Sequence, residues 1–397
     1  MPGSRPNPIP DTAPAPVLLG PRPRILAIKL ATLGDLLLAT PALRALRCRY
    51  SAARLDLLTT TAAAPLLTGS PLLDDIYALD LDLRRGRPPL RELARSLRTL
   101  AALRATHYDA VLLLHHLTLP AGRLKHRALV RALAPRLAVG LDNGHGAWLD
   151  LRVPDQGFGA HHEAQYALAV ARAVDAELPP GERDLRLSDL GWGDIGTPAP
   201  HSPHSPHSPD APLIVALHPG SGAFSLARRW PIARFAELAR ALHASEGARI
   251  LVVAGPGEEP LVRQLLANLD VPEWVAAVSP TTPRALAETL SGCALFVGND
   301  SFPMHLAAAL GVPVVAVFGP TNAGAWAPYA PGNPGRALVV RRGDLPCSPC
   351  IYRGHALGTP EGCPARPCLT ELPAEPVIAA ARRLLTRAKA SAAAPAG

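Results

Sequence analysis

The sequence predicts an α/β protein of two doubly wound, mostly parallel domains that face a central cleft. Three observations carry this. The chain has 397 residues, and about 100–200 residues make one domain. Short apolar runs alternate with turns and helix-forming stretches in two separate segments, the pattern of strand–helix–strand units on a parallel sheet. Between the segments lies the tract TPAPHSPHSPHSPDAP, residues 197–212, where proline at every third position forbids helix and central strand and leaves an extended linker. The expected organisation is a flexible tail over 1–23, a first domain over 24–196, the linker over 197–212, a second domain over 213–385 and a flexible tail over 386–397.

In the first domain, Arg24–Leu30 (RILAIKL) reads as a strand, Ala31–Asp35 as a turn and Leu36–Arg47 as helix, with Pro41 kinking or resetting its first turns. Leu55–Thr59 and Ala110–Leu114 read as strands, and Leu90–Thr106 and Tyr166–Val174 as helices. In the second domain the strands are Leu213–Leu217, Arg249–Ala254, Ala294–Val297 and Val312–Phe318, and the helices Pro231–Leu242, Thr282–Leu290 and Pro303–Leu310.

Composition excludes several classes. With 48% apolar and 18% charged residues, the chain can bury cores and is not wholly disordered. The longest apolar stretch, Ala307–Gly319, is broken by Gly311 and Pro313 and is too short to span a bilayer. The Pro-rich N-terminus lacks a signal peptide's apolar core, so the expected location is cytoplasmic. Six cysteines are too few for a disulfide scaffold. The formal net charge of +8 favours an anionic partner. Nucleic acid is disfavoured, because aromatics make up 4% of the chain and stacking platforms need them.

Ligands of such sheets bind beyond the carboxyl ends of the strands, so the turns after strands are the places to look. Leu33-Gly34-Asp35 puts a carboxylate beside a helix start, as a base or as an N-cap. His218-Pro219-Gly220-Ser221-Gly222, with Arg228 and Arg229 before the next helix, fits an anion site or a plain turn. Gly298-Asn299-Asp300-Ser301-Phe302-Pro303-Met304-His305 starts a helix at which Asp300 or Ser301 can cap and exposed amides can hold a pyrophosphate; Asp300 can instead accept bonds from sugar hydroxyls. In loop 344–370, Cys347, Cys350, Cys363 and Cys368 are spaced C-x2-C-x12-C-x4-C, which fits a structural zinc knuckle, reduced thiols or reversible disulfides. Arg84, Arg85, Arg87, Arg91, Arg95, Arg98 and Arg104 line one stretch, and Arg123, Lys125, Arg127 and Arg131 another. Each is a solvated helix face or a surface for an anionic lipid acceptor.

Taken together, ILAIKLATLGDLLLATPALRALR, HPGSG followed by RRWPIARFAELA, FVGNDSFPMHLAAALGVPVVAVFGPTN and the CSPC loop resemble glycosyltransferase family 9, the ADP-heptose:lipopolysaccharide heptosyltransferases and their relatives. The resemblance covers about residues 24–385. It implies a GT-B fold of two Rossmann-like domains, the N-terminal one for the acceptor and the C-terminal one for the nucleotide sugar. By the same resemblance Asp35 is the general base, Ser221 and Gly222 form the phosphate-binding turn, and Arg228 contacts donor phosphate. Asp300 holds the donor sugar's hydroxyls, and Ser301 and His305 lie on the pyrophosphate side. No catalytic metal is implied. The expected partners are an ADP-heptose-type donor and an anionic glycolipid acceptor at the inner face of the membrane, with no nucleic acid. Two positions depart from the family pattern: Arg228 stands in place of Lys, and Phe302 in place of Gly. The rival functions are a nucleotide-sugar epimerase on the same fold and a degenerate carbohydrate-binding paralogue.

Overall fold

Apolar runs such as Ile25–Ile28, Val111–Leu113 and Val314–Val317 are fully buried, which a strand achieves only inside a parallel sheet covered by helices on both faces. The computed structural model describes residues 12–80, 90–193, 195 and 213–393. The chain divides into two units, Met1–Gly191 with Gly354–Leu357, and Trp192–Arg353 with Gly358–Gly397.

In the first unit the strands are β1 (Arg24–Lys29), β2 (Arg54–Thr59), β3 (Asp75–Ala78), β4 (Ala110–Leu113), β5 (Leu137–Asp142) and β6 (Leu151–Pro154), with helices α1 (Leu33–Leu37), α2 (Thr40–Arg49), α3 (Leu90–Ala105), α4 (Pro120–Leu133) and α5 (Glu163–Arg172). The sheet is parallel throughout, in the order β3-β2-β1-β4-β5-β6. Helices α3 and α4 cover one face over Leu103, Leu129, Val130 and Leu133, and α2 packs on α5.

The second unit holds β7 (Ile214–His218), α6 (Ile232–Glu246), β8 (Arg249–Val253), α7 (Glu259–Leu269), β9 (Val275–Val278), α8 (Pro283–Ser291) and β10 (Leu295–Asn299). It continues with α9 (Phe302–Ala309), β11 (Val314–Val317), α10 (Ala323–Trp326), β12 (Ala337–Val340), α11 (Pro367–Thr370) and α12 (Glu375–Ala393). Its order, β12-β11-β10-β7-β8-β9, is again parallel. Read from the other edge, it repeats the arrangement of the first unit. Trp230 and Phe235 anchor its core against Leu369, Leu372 and Val377, and each buried side chain of this size contributes about 1.5–3 kcal/mol.

Several expectations are corrected. The turn after β1 is shorter than Ala31–Asp35, because helix already begins at Leu33 behind an extended Thr32. Pro41 does not kink one helix but opens a second, α2. Residues 12–23 are not a loose tail: the Val17 amide donates to Ala173 O (2.9 Å) and the Leu19 amide to the Tyr50 hydroxyl (3.2 Å). At the other end α12 runs on to Ala393, into the stretch read as a flexible tail. The first unit ends at Gly191 rather than 196, and Gly354–Leu357 of the Cys-rich loop belong to it. The linker 197–212 and Arg84, Arg85 and Arg87 lie outside the described residues.

The closing segment of the first unit is held by Arg44 of α2. Its guanidinium meets the buried Asp189 carboxylate and donates to the carbonyls of Glu182 and of Asp184 (2.7 Å). Burial pushes the Asp189 carboxyl up to about 6, although the charge and bond of Arg44 pull it down. Removing one partner of such a pair strands the other charge. Arg44→Met is expected to lower unfolding free energy by about 3–5 kcal/mol in urea titration. A loss below about 1 kcal/mol would show that Asp189 finds another partner.

Candidate active site

Each sheet reverses its strand order at the centre, between β1 and β4 in one unit and between β7 and β10 in the other. Ligands of doubly wound sheets bind beyond the strand ends at such a reversal. The expected site residues lie there in both units.

In the first unit Asp35 is the third residue of α1, not its N-cap. Its Oδ2 accepts from the Thr32 hydroxyl (2.7 Å) and more weakly from the Thr32 amide (3.4 Å), one half of a capping box. The carboxylate is half-buried and lies in the first turn of the helix, where negative charge is favoured. The strand ends of the same unit carry a buried ionic cluster that sequence reasoning missed. Lys29 Nζ donates to Leu114 O (2.9 Å) and lies 4.0 Å from Glu163. His116 bridges Asp155 through Nδ1 and Glu163 through Nε2, each at 2.9 Å. Burial favours the neutral ring, but Glu163 and Asp155 outweigh it and hold His116 up at about 9. His115 accepts from the Leu30 amide (2.7 Å) and stacks on His126 at 4.7 Å. Burial, then the charges of Lys125 and Lys29, pushes His126 down to about 3, and neither of its ring nitrogens has a hydrogen-bond partner. The signal in the sequence was the double histidine directly after a buried strand.

In the second unit the turn after β7 is organised by a second missed residue, Glu258, just before α7. Its Oε1 accepts from the amides of Ser221 and Gly222, and its Oε2 from the Gly255 amide and from His218 Nε2, all at 2.9 Å. Burial would raise its pKa, but the His218 bond and charge and the amides of Gly222 and Gly255 bring it down to about 2. The turn expected to offer its amides to a phosphate has therefore already spent two of them on a carboxylate. Gly220 is required here, since a Cβ would lie 2.0 Å from Glu258 Oε2. Asn299 fastens the same turn to β10: its amide group donates to Pro219 O (2.9 Å) and Gly220 O (3.0 Å), and its Oδ1 accepts from the Trp230 amide (3.0 Å).

Arg228 faces this turn. Its guanidinium donates to Ser221 O and pairs with Asp300 Oδ2 at 3.4 Å. Asp300 and His305 are buried. Ser301 takes the N-cap position of α9 without a side-chain cap bond; its hydroxyl donates to Asn299 O and meets His218 Nδ1, each at 3.1 Å. Phe302 opens the helix and is half-buried. The second unit thus brings together Ser221, Gly222, Arg228, Asp300 and Ser301, while Asp35 stands in the first.

Residues 96–359, more than half of the chain, match glycosyltransferase family 9 (heptosyltransferase). The chain belongs to that family. It is a glycosyltransferase with two Rossmann-like domains of the GT-B type. Among similar proteins, lipopolysaccharide heptosyltransferase 3 of Escherichia coli is 25% identical over 75% of this chain and 84% of its own. Lipopolysaccharide heptosyltransferase 1 of Pseudomonas aeruginosa is 27% identical over 83% and 86%. Among solved structures, the E. coli ADP-heptose lipopolysaccharide heptosyltransferase II aligns with TM-score 0.62 and 22% identity, covering 92% of this chain and 99% of that one. The family 9 glycosyltransferase of Veillonella parvula aligns with TM-score 0.66 and 20% identity, covering 94% and 99%.

Cys347, Cys350 and Cys363 are exposed free thiols and Cys368 a buried one, and no group of three or more His, Cys, Asp or Glu among the described residues could hold an ion. Burial, and then the neighbouring thiols, raise the pKa of Cys350 and lift that of Cys368 to about 11, so both stay protonated at neutral pH.

The histidines set a pH dependence of stability. The folded pKa of His116 is raised from 6.5 to about 9, so its contribution is complete below 6.5 and is lost as pH rises through about 9. The folded pKa of His126 is lowered from 6.5 to about 3, so the unfolded chain takes up the proton first and stability falls as pH drops below 6.5. Melting curves are expected to show both slopes. His116→Gln should remove the alkaline one and His126→Leu the acid one; unchanged slopes in the variants would assign them to other groups.

Proposed function

We propose that this glycosyltransferase moves a heptose, or a closely related sugar, from an ADP-activated donor to a hydroxyl of a lipopolysaccharide-core-type glycolipid, with inversion at the anomeric carbon. The observation that carries the reading is Asp35, a carboxylate at the carboxyl edge of the first sheet whose orientation Thr32 fixes, in a chain of family 9. Asp35 takes the proton from the acceptor hydroxyl as its oxygen attacks the anomeric carbon, and the bond from that carbon to the diphosphate breaks. Base assistance of this kind contributes about 10²–10⁴-fold. Arg228, with the amides at 301 and 302, stabilises the charge on the departing ADP. Asp300 receives hydroxyls of the donor sugar, and His305 supports the pyrophosphate side. Ser221 and Gly222 shape the turn and seat Arg228 through the Ser221 carbonyl. The reaction needs no catalytic metal in this reading. It takes place at the cytoplasmic face of the membrane that carries the acceptor.

The direct test is incubation with ADP-heptose and a core acceptor, followed by mass spectrometry. An elongated acceptor supports transfer. An altered sugar nucleotide would make the protein an epimerase, and no change in either would make it a binding paralogue.

Asp35→Asn is expected to keep donor affinity and lose transfer by at least the factor that base assistance supplies, about 10²-fold or more. Turnover within tenfold of the wild type, with the fold intact, would remove Asp35 from the role of base.

Phe302 tests the pyrophosphate turn. Its amide opens α9, and a ring in place of glycine's hydrogen must swing aside or intrude. Phe302→Gly is expected to tighten ADP binding by roughly 1 kcal/mol, about fivefold, in titration calorimetry. Weaker binding would make the ring a contact to the donor.

A further inference from the structure

The face made by α3 and α4 combines two features that the reaction does not use. The first is apolar exposure. Leu93 is 44% exposed, Leu97 58%, Leu119 37% and Leu124 70%, although the inner sides of the same helices bury Leu103, Leu129, Val130 and Leu133. Leu93 and Leu97 are one turn apart on α3, and Leu124 is exposed on α4, with Arg127 and Arg131 beside it at i+3 and i+7. The second is an excess of basic over acidic residues in the sequence. The two helices carry eight basic residues (Arg91, Arg95, Arg98, Arg104, Arg123, Lys125, Arg127 and Arg131) and one acidic residue, Glu92.

Some of these bases have structural work. Arg104 donates to Ala132 O and Arg123 to Leu117 O. Arg91, Arg95, Arg98, Arg127 and Arg131 are exposed and have no ion pair among the described residues. Arg47, Arg49 and Arg54 of the same unit are by contrast each paired with aspartate.

We propose that the α3–α4 face docks the protein on an anionic lipid bilayer, the exposed leucines entering the headgroup region and Arg91, Arg95, Arg98, Arg127 and Arg131 meeting lipid phosphates. On α4 Leu124 shares one face with Arg127 and Arg131, and on α3 Arg91, Arg95 and Arg98 stand across the helix from Leu93 and Leu97, an apolar side backed by a cationic one whose long side chains reach back to the headgroups; both are patterns of a helix lying in the interface plane. No described helix is long and apolar enough to cross a membrane, so the contact lies on the bilayer. Nucleic acid would use the same charge but not the leucines: α3 and α4 hold no Phe, Tyr or Trp on which bases could stack. Helices that follow parallel strands begin at the carboxyl edge of the sheet, so the N-terminal turn of α4 lies at the edge that carries Asp35. Docking there would hold a bilayer-anchored acceptor near the proposed base. The proposal does not itself depend on the donor or the sugar.

The test is flotation of the full-length protein with phosphatidylcholine vesicles, with and without phosphatidylglycerol. Such vesicles carry no acceptor sugar, so the outcome is independent of the transferase reading. Binding is expected only with phosphatidylglycerol and is expected to weaken with salt. Each arginine near an anionic surface contributes roughly fivefold, so R127Q/R131Q should bind at least tenfold more weakly. L97Q/L124Q should also bind more weakly while keeping the salt dependence. Arg263→Gln, on the exposed side of α7, should bind as the wild type does, and melting curves identify any variant that fails to fold. Equal binding to both vesicle types, wild-type binding by R127Q/R131Q, or retention of single-stranded RNA in place of vesicles would each overturn the proposal.

Discussion

The reversal of strand order at the centre of each sheet is the constraint on which the rest of the structure depends. Connections from two neighbouring strands leave there in opposite directions, so the carboxyl ends of β1 and β4, and of β7 and β10, are not roofed by a crossing helix. Backbone groups beyond those ends need partners from side chains, and the chain supplies them from polar residues packed beside the turns. His115 receives the Leu30 amide in the first unit. Glu258 receives three amides and His218 in the second, and Asn299 ties the same turn to β10. A turn fastened at so many points keeps its shape through its own side chains.

The same network explains the arginine at 228. It uses separate nitrogens for the Ser221 carbonyl, the Asp300 carboxylate and, at the limit of bonding distance, the Ser225 carbonyl, and its guanidinium lies 5.7 Å from the Phe224 ring centroid. A planar fork serves such divergent acceptors, whereas an ammonium is one compact charge on a flexible stem. The geometry uses what arginine adds, and Asp300 is presented already balanced by a cation.

Legibility in the sequence followed burial. Interior strands β1, β2, β4, β7, β8, β10 and β11 are near-continuous apolar runs and could be read directly. The edge strands β3, β6, β9 and β12 are only partly buried, with polar residues or short alanine-valine runs that mimic loop or helix. β5 is interior, but Gly140 interrupts its run; that glycine lets Leu113 and Leu149 approach to 3.3 Å of where a Cβ would stand. Turn positions after strands located Asp35, Arg228, Asp300 and Ser301. Glu258 and His116 also lie in turns after strands, but the rule gave no reason to choose them, because their importance lies in partners distant in sequence: His218 for one, Asp155 and Glu163 for the other. A spacing motif records which residues are near along the chain, and a buried charge network is assembled across it.

Asp35 shows why a structural and a chemical reading of one residue need not compete. As a capping-box carboxylate it anchors the start of a helix only five residues long, which has little else to define its first turn. Both bonds from Thr32 fall on Oδ2, so the rotation of the carboxylate, and with it the direction of Oδ1, is set by the backbone turn at the end of β1. Charge at this position is favoured by the helix N-terminus, and a base must be both ionised and aimed to take a proton in one step. The capping geometry supplies the aim. A short, capped helix directly after the central strand thus fixes the carboxylate on which the proposed role as base rests.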